Sequence, residues 1–180
     1  MKRIIIVWLC AILLCSCSGK SHRPISDNDE GDNQEYNEST STVQSNLTKD
    51  EAEAVAFLTD FYKLYINWFM GGAPSSAYEE CLSKDLLNAF EYFDEHFEET
   101  GYQVLDCDPF IKAQDVVGSL REGKFIIKKT DDTNCYEMCY DDTCVKLYLV
   151  KQNGKYLIDD VEDETAGTVC RLMHNMLYSY

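Results

Sequence analysis

The chain has 180 residues, with 16 Lys and Arg against 32 Asp and Glu, and a formal net charge of −16. That balance argues against nucleic-acid binding, which draws on Lys and Arg to neutralise phosphates, and against electrostatic adhesion to anionic lipids. Residues 48 to 180 number 133, enough for one core and too few to expect two domains, and no internal repeat is visible.

The first residues speak to location. Lys2 and Arg3 precede an uninterrupted apolar run from Ile4 to Cys15, the pattern of a signal peptide. The run has 12 residues, short of the ~20 that a helix needs to cross a bilayer core. At its end, Leu14-Cys15-Ser16-Cys17 resembles the bacterial lipobox: an aliphatic residue, two small ones, then cysteine. Chemistry explains the spacing, since the Cys17 thiol must be alkylated by a diacylglycerol donor and Ser16 must fit the peptidase that cuts before Cys17. The plainer alternative is a secretory signal with a chance cysteine, against which stands the position of the match at the expected cleavage site. Each buried methylene contributes ~0.8 kcal/mol, so one acyl chain anchors marginally and the two or three of a bacterial lipoprotein anchor durably. The expectation is a signal peptide at 1–16, lipid on Cys17, and a cell-envelope location on a bacterial membrane. The outer membrane is preferred, and Ser18-Gly19-Lys20 leaves the leaflet open. Cleavage removes two positive charges and no negative ones, so the mature chain carries 14 − 32 = −18.

Ser18 to Leu47 is rich in Ser, Asn, Asp, Glu, Gln and Thr, with Ile25, Tyr36 and Val43 among its few large apolar residues. Such a segment cannot bury enough surface to offset its ordering entropy, so residues 17–47 are expected to form an acidic disordered tether. It would span ~30 Å on average and ~100 Å when stretched. Asp27, Asp29, Glu30 and Asp32 fit a docking motif, but solvated tether is the plainer reading.

A single domain is expected over 48–180. Thr48-Lys49-Asp50-Glu51 reads as a capping box with acids at the positive end of a helix. Val55, Leu58, Phe61, Tyr62, Tyr65 and Phe69 then make one apolar stripe, ended by Gly71-Gly72. A second helix starts at Ser83, carries Leu86, Leu87, Phe90, Phe93 and Phe97, and stops at Gly101. Core packing explains both stripes more simply than a ligand does. Asp108-Pro109-Phe110-Ile111-Lys112-Ala113-Gln114-Asp115 reads as a short helix, with Asp108 as cap and Pro109 in the first position. From Lys124 the pattern turns to period two, with strands at 125–127, 136–140, 144–151 and 156–161 and a hairpin signal at Asn153-Gly154. Val169, Leu172, Met173, Met176 and Leu177 suggest a last helix. Helices followed by an antiparallel meander indicate an α+β fold with helices packed on one face of a sheet.

The segment DPFIKAQD resembles the hallmark of a lipoprotein family, the domain of unknown function 3828, through Asp108, Pro109, Phe110, Gln114 and Asp115. The aromatic helix Phe61-Tyr62-Lys63-Leu64-Tyr65 before it and the closing strand Lys155-Tyr156-Leu157-Ile158-Asp159-Asp160 follow the same order. The resemblance covers most of residues 50–162. It implies a cone-shaped α+β fold similar to nuclear transport factor two, with helices closing over a curved antiparallel sheet. Cysteines in the folded part and the helical tail after Val161 depart from the pattern. That scaffold hosts both enzymes and binding modules and cannot name a reaction.

Two functions are therefore in view. The favoured one is a non-catalytic module that binds or braces an envelope protein, for which anchor, tether and acidic surface suffice. The alternative is a pocket enzyme of the isomerase or dehydratase type, in which a carboxylate acts as general base and a tyrosine or histidine polarises the substrate. Its only candidates are Asp115, Tyr62, Tyr65 and His96. Each has a plainer role: Asp115 in a cap or paired with Lys112, the tyrosines in the core, and His96 on a wet helix face beside Asp94, Glu95 and Glu98. No cofactor or metal is expected. The cysteines lack paired C-x-x-C spacing, and Asp159, Asp160, Glu162, Asp163 and Glu164 lack the spacing and glycine of a calcium loop. Oligomeric state is left open.

Six cysteines lie downstream: Cys81, Cys107, Cys135, Cys139, Cys144 and Cys170. They allow fifteen full pairings. If Asp141-Asp142 form a two-residue turn, Cys139 opposes Cys144, Met138 opposes Val145, Glu137 opposes Lys146 and Tyr136 opposes Leu147. Cys139 and Cys144 then form a non-hydrogen-bonded pair ~4.5 Å apart at Cα, within reach of a disulfide. A hairpin with two free thiols is the competing reading, because Asp-Asp is a poor type I′ turn.

Overall fold

A computed structural model describes residues 47–178, all within the second of two compact units, Ser41–Tyr180. The expected signal segment, Cys17 and all of the expected tether except Leu47 lie outside the described residues. Helix α1 spans Lys49–Phe69, α2 Ser76–Glu79, α3 Lys84–Thr100 and α4 Gly118–Arg121. Strands β1 Ile126–Lys129, β2 Cys135–Tyr140, β3 Thr143–Gln152, β4 Lys155–Asp163 and β5 Gly167–Thr168 follow, and α5 Val169–Tyr178 closes the chain. The fold is α+β, with an open five-stranded antiparallel sheet in chain order.

Local chemistry sets the helix ends. The Thr48 side chain accepts from the Glu51 amide at 3.3 Å while the Glu51 carboxylate accepts from the Thr48 amide at 2.8 Å, a complete capping box. Ser83 Oγ accepts from the Leu86 amide at 3.2 Å to start α3, and Gly101 ends it in the left-handed region, φ 71°, where a Cβ would be strained. From α1, Leu58, Phe61, Tyr62 and Tyr65 enter the core, joined by Ala54 and Ile66, while Val55 and Phe69 are only half-buried. Of the α3 stripe, Leu86 and Phe93 are buried and Phe97 lies exposed at 52 %.

In the sheet, Tyr136, Met138, Val145 and Leu147 share the core face by alternation, and the register shift in the β3–β4 ladder brings both Ile158 and Val161, three residues apart, to that face opposite Leu149 and Leu147. The β2–β3 register pairs Tyr140 with Thr143 and Cys139 with Cys144, the register that a two-residue Asp141-Asp142 turn dictates. Only Asp141 of that turn has positive φ, 45°, so the turn escapes the type I′ demand for two such residues. Cys139 and Cys144 are joined in a disulfide. Asn153 and Gly154, φ 52° and 78°, form the β3–β4 turn with both residues left-handed. The register shift between Tyr148 and Leu149 bends the long β3–β4 ribbon.

The structure adds the short helices α2 and α4, which the sequence did not signal, and departs from the sequence expectation at three further points. The 108–115 segment is a closed turn, not a helix: Lys112 takes φ 46° after one turn, and the Asp108 amide donates to the Ala113 carbonyl at 3.1 Å. Lys112 pairs with Glu162 at 2.8 Å rather than with Asp115. The two-residue β5 adds an edge to β4 through Glu162 and Asp163. Before α3, Leu82 pairs with Ile158 in parallel, with the Ser83 amide donating to the Ile158 carbonyl at 2.8 Å, and so covers the middle of β4.

The disulfide closes a short loop, with a sequence separation of 5. In the chain-entropy model such a link is worth about 2 kcal/mol. Peptide mapping without reduction should yield the Cys139–Cys144 pair, and reduction should lower the unfolding free energy by about that amount. A peptide joining either residue to Cys81, Cys107, Cys135 or Cys170 would refute the pairing.

Candidate functional site

The most elaborate polar arrangement among the described residues surrounds the 108–113 turn. The Asp108 carboxylate works along two directions. Its Oδ1 accepts from the Phe110 and Ile111 amides at 2.9 and 3.2 Å, and its Oδ2 accepts from the Tyr65 hydroxyl. The Tyr62 hydroxyl donates to the Phe110 carbonyl at 2.9 Å, and the Tyr140 hydroxyl donates to the Ile111 carbonyl. Tyrosines from α1 and β2 thus hold the turn from two sides, each hydroxyl donating to the backbone of the turn or to its cap.

Apolar packing fixes the same turn. The Phe110 ring lies 5.2 Å from Phe61, 5.0 Å from Tyr65 and 5.8 Å from Phe90, and Phe110 and Ile111 are almost fully buried. Pro109 presets φ for the first step of the turn and removes an amide that would otherwise need a partner. Tyr62 and Tyr65 are buried, and burial pushes both phenols well above their ordinary range. They act as neutral hydrogen-bond donors.

Asp108 stands apart electrostatically. Burial pushes its carboxyl up to about 6, opposed by the bond from Tyr65 and by those from the Phe110 and Ile111 amides. No cation forms an ion pair with it among the described residues, since Lys112 is committed to Glu162. Dipoles alone carry the charge.

The other candidates from the sequence lie elsewhere. Asp115 is exposed and accepts from the amide of its own neighbour Val116 at 2.7 Å. His96 sits on α3 between Tyr92 and Tyr102, at ring separations of 6.2 and 6.4 Å. Gln114 is exposed, its Nε2 reaching the Asp106 carbonyl at 3.5 Å. Tyr62 and Tyr65 are brought together around Asp108, and no described hydrogen bond or ring contact ties His96 or Asp115 to them. The acidic run in the second half of β4 serves the fold. Asp160 accepts from the Val161 and Cys170 amides at 2.9 and 3.0 Å, which starts α5, and Asp163 accepts from the Thr165 and Ala166 amides at 2.9 and 2.7 Å.

Sequence reasoning missed two structural contributors. Tyr140 was legible only as an inward strand position, because its partner is a distant carbonyl. The second is the junction of Asp50, Lys151 and Tyr156, where Lys151 pairs with Asp50 at 2.6 Å and the Tyr156 hydroxyl donates to the Asp50 carbonyl at 3.0 Å. It fastens the start of α1 to the β3–β4 hairpin.

The raised Asp108 carboxyl has a thermodynamic consequence. Between pH about 4 and 6 the folded protein keeps a proton that the unfolded chain has released. Its contribution to stability is therefore full below pH about 4 and is lost as pH rises through about 6. Asp108→Asn keeps an acceptor for both amides and removes the titration. Urea unfolding should show the variant gaining on the wild type as pH rises from 4 to 7, by an amount on the order of 3 kcal/mol. A difference that stays constant with pH would refute this. Tyr65→Phe, which strips Oδ2 of its donor, should cost about 1–3 kcal/mol.

No family model matches the chain, so its resemblance to a lipoprotein family rests on the residues quoted above, and no curated protein matches it. A protein of unknown function from Bacteroides thetaiotaomicron VPI-5482, known from a crystal structure, is similar at 28 % sequence identity and a TM-score of 0.46, over 63 % of this chain and 92 % of that one.

Proposed function

We propose that this protein is a lipid-anchored envelope lipoprotein whose α+β domain is a non-catalytic binding or scaffolding module. The same reading places it with the lipoproteins of domain of unknown function 3828 and gives it the cone-shaped fold similar to nuclear transport factor two. The observation that supports a non-catalytic role is the commitment of the buried hydroxyls. Tyr62, Tyr65 and Tyr140 each donate to the 108–111 segment of their own chain, which leaves none of them available to polarise a substrate. Asp115 and His96, the other groups an isomerase or dehydratase would need, lie outside this cluster with separate neighbours. The anchor is supported by the short apolar run and by Leu14-Cys15-Ser16-Cys17. With a mature charge of −18 from 14 basic and 32 acidic residues, adhesion to anionic lipid is disfavoured, and acyl chains would supply the membrane affinity.

In a bacterial host, the wild type should partition into detergent after cleavage before Cys17, while Cys17→Ser should remain uncleaved or partition into water. Equal partitioning and migration of the two would reject the anchor. Crosslinking of the intact lipoprotein in cells should recover one envelope protein reproducibly. Robust turnover of a small carbonyl or hydroxyl substrate, lost in Asp115→Asn or His96→Gln, would reject the binding role.

A further inference from the structure

Glu137, Cys139 and Cys144 place one carboxylate oxygen and two sulfur atoms within 4.8 Å of one another. By strand alternation they share the sheet face opposite Tyr136, Met138, Val145 and Leu147. We propose that this group is a metal site gated by its own disulfide. Joined, Cys139 and Cys144 offer no thiolate and hold no ion. Reduced, they bind a thiophilic divalent ion of the zinc class through two thiolates and the Glu137 carboxylate, with water in the fourth position.

The register keeps the ligands in place when the sulfur–sulfur bond opens. Cys139 is paired on both sides, with Ile126 of β1 and with Cys144 of β3. The two Cα atoms stand 4.2 Å apart, and the adjoining turn is tied down by Ser119 Oγ donating to Asp141 Oδ2 at 2.6 Å. A C-x-x-C sequence brings two thiols together by local chain geometry; here a two-residue turn does so across a ladder. The sequence spacing therefore carried no metal signal.

Glu137 supplies the second observation. It is half-buried on the same strand face, two residues from Cys139, and makes no hydrogen bond or ion pair among the described residues. Lys146 stands opposite it on β3 and Lys128 on β1. Two thiolates and a carboxylate around a divalent ion leave one net negative charge, which those flanking ammonium groups offset.

Access is built in as well. Cys144 is exposed while Cys139 is 8 % exposed. A thiolate of an external dithiol attacks the Cys144 sulfur, and the electron pair of the broken bond leaves on Cys139, which takes up a proton. The second thiol of the reductant then displaces the Cys144 sulfur from the mixed disulfide, closing the reductant's own disulfide. The protein gains two electrons and two protons, the dithiol loses them, and metal binding releases the two thiol protons.

The mature full-length protein, reduced with a phosphine that is then removed under argon, is titrated with Co2+ and afterwards with Zn2+. Thiolate-to-cobalt charge-transfer absorption should develop and Zn2+ should abolish it, while unreduced protein should show none. Cys139→Ser and Cys144→Ser should each lose the band. Glu137→Gln should keep it with affinity weaker by at least roughly tenfold, the loss that even outer-shell partners produce. Far-UV circular dichroism of the reduced protein should match that of the oxidised one. The proposal fails if reduced protein gives no band or loses its fold. It also fails if the band survives either serine substitution, which would assign it to other thiols, or if Glu137→Gln binds as tightly as wild type.

Discussion

A single carboxylate organises the junction between helices and sheet. Asp108 accepts from two amides of its own turn and from Tyr65 of α1, and the turn that it closes presents the Phe110 and Ile111 carbonyls to Tyr62 and Tyr140. Removing the hydroxyl of Tyr62, Tyr65 or Tyr140 strips an acceptor of its donor, which costs more than the bond itself contributes. The segment is irregular backbone against a core, tolerated because its Phe110 and Ile111 amides and carbonyls all have partners. That requirement links α1, the turn and β2 more tightly than apolar contact alone would, because hydrogen bonds fix direction as well as distance.

How far the sequence disclosed this depends on whether each determinant is local. The start of α1 and both ends of α3 were legible because Thr48, Glu51, Ser83 and Gly101 act within one helical turn. The β2–β3 register was legible because counting outward from a two-residue turn leaves no freedom, and Cys139 then faces Cys144. The 108–113 turn was not. Asp and Pro have the same local preference at a helix start as in this turn, and what halts the helix is Lys112 at φ 46° and the bond between the Asp108 amide and the Ala113 carbonyl. Tertiary partners many residues away decide that outcome.

The candidate site was partly legible for the same reason. Tyr62 and Tyr65 stood out as hydroxyl-bearing residues on an inward stripe, and they do converge on one point. Their partners could not be read, so a catalytic use and a structural one looked alike from sequence. Their occurrence alongside the DPF segment has a direct physical reading: the helix carries the donors and the turn carries the acceptors. Glu137 was invisible as a ligand because nothing about a lone acid in a strand marks it until the register sets it beside two sulfurs.

The sheet is a meander, each strand pairing with the next in the chain. Every pairing closes a loop of a few residues, so the ladder assembles at small entropic cost and without long searches. Attachment of α1 is of another kind. Asp50 meets Lys151 across 101 positions and Tyr156 across 106, so a long loop must close before those bonds return anything. On a ribosome the helix emerges before both of these partners. The apolar side of the helix, bearing Leu58, Phe61, Tyr62 and Tyr65, is met by Tyr78, Phe110 and Phe125, which precede the final hairpin in the chain, whereas the N-terminal end of the helix waits until that hairpin has been made. The interval between synthesis of the first helix and synthesis of the last hairpin is the time for which that end of the helix is free to fray.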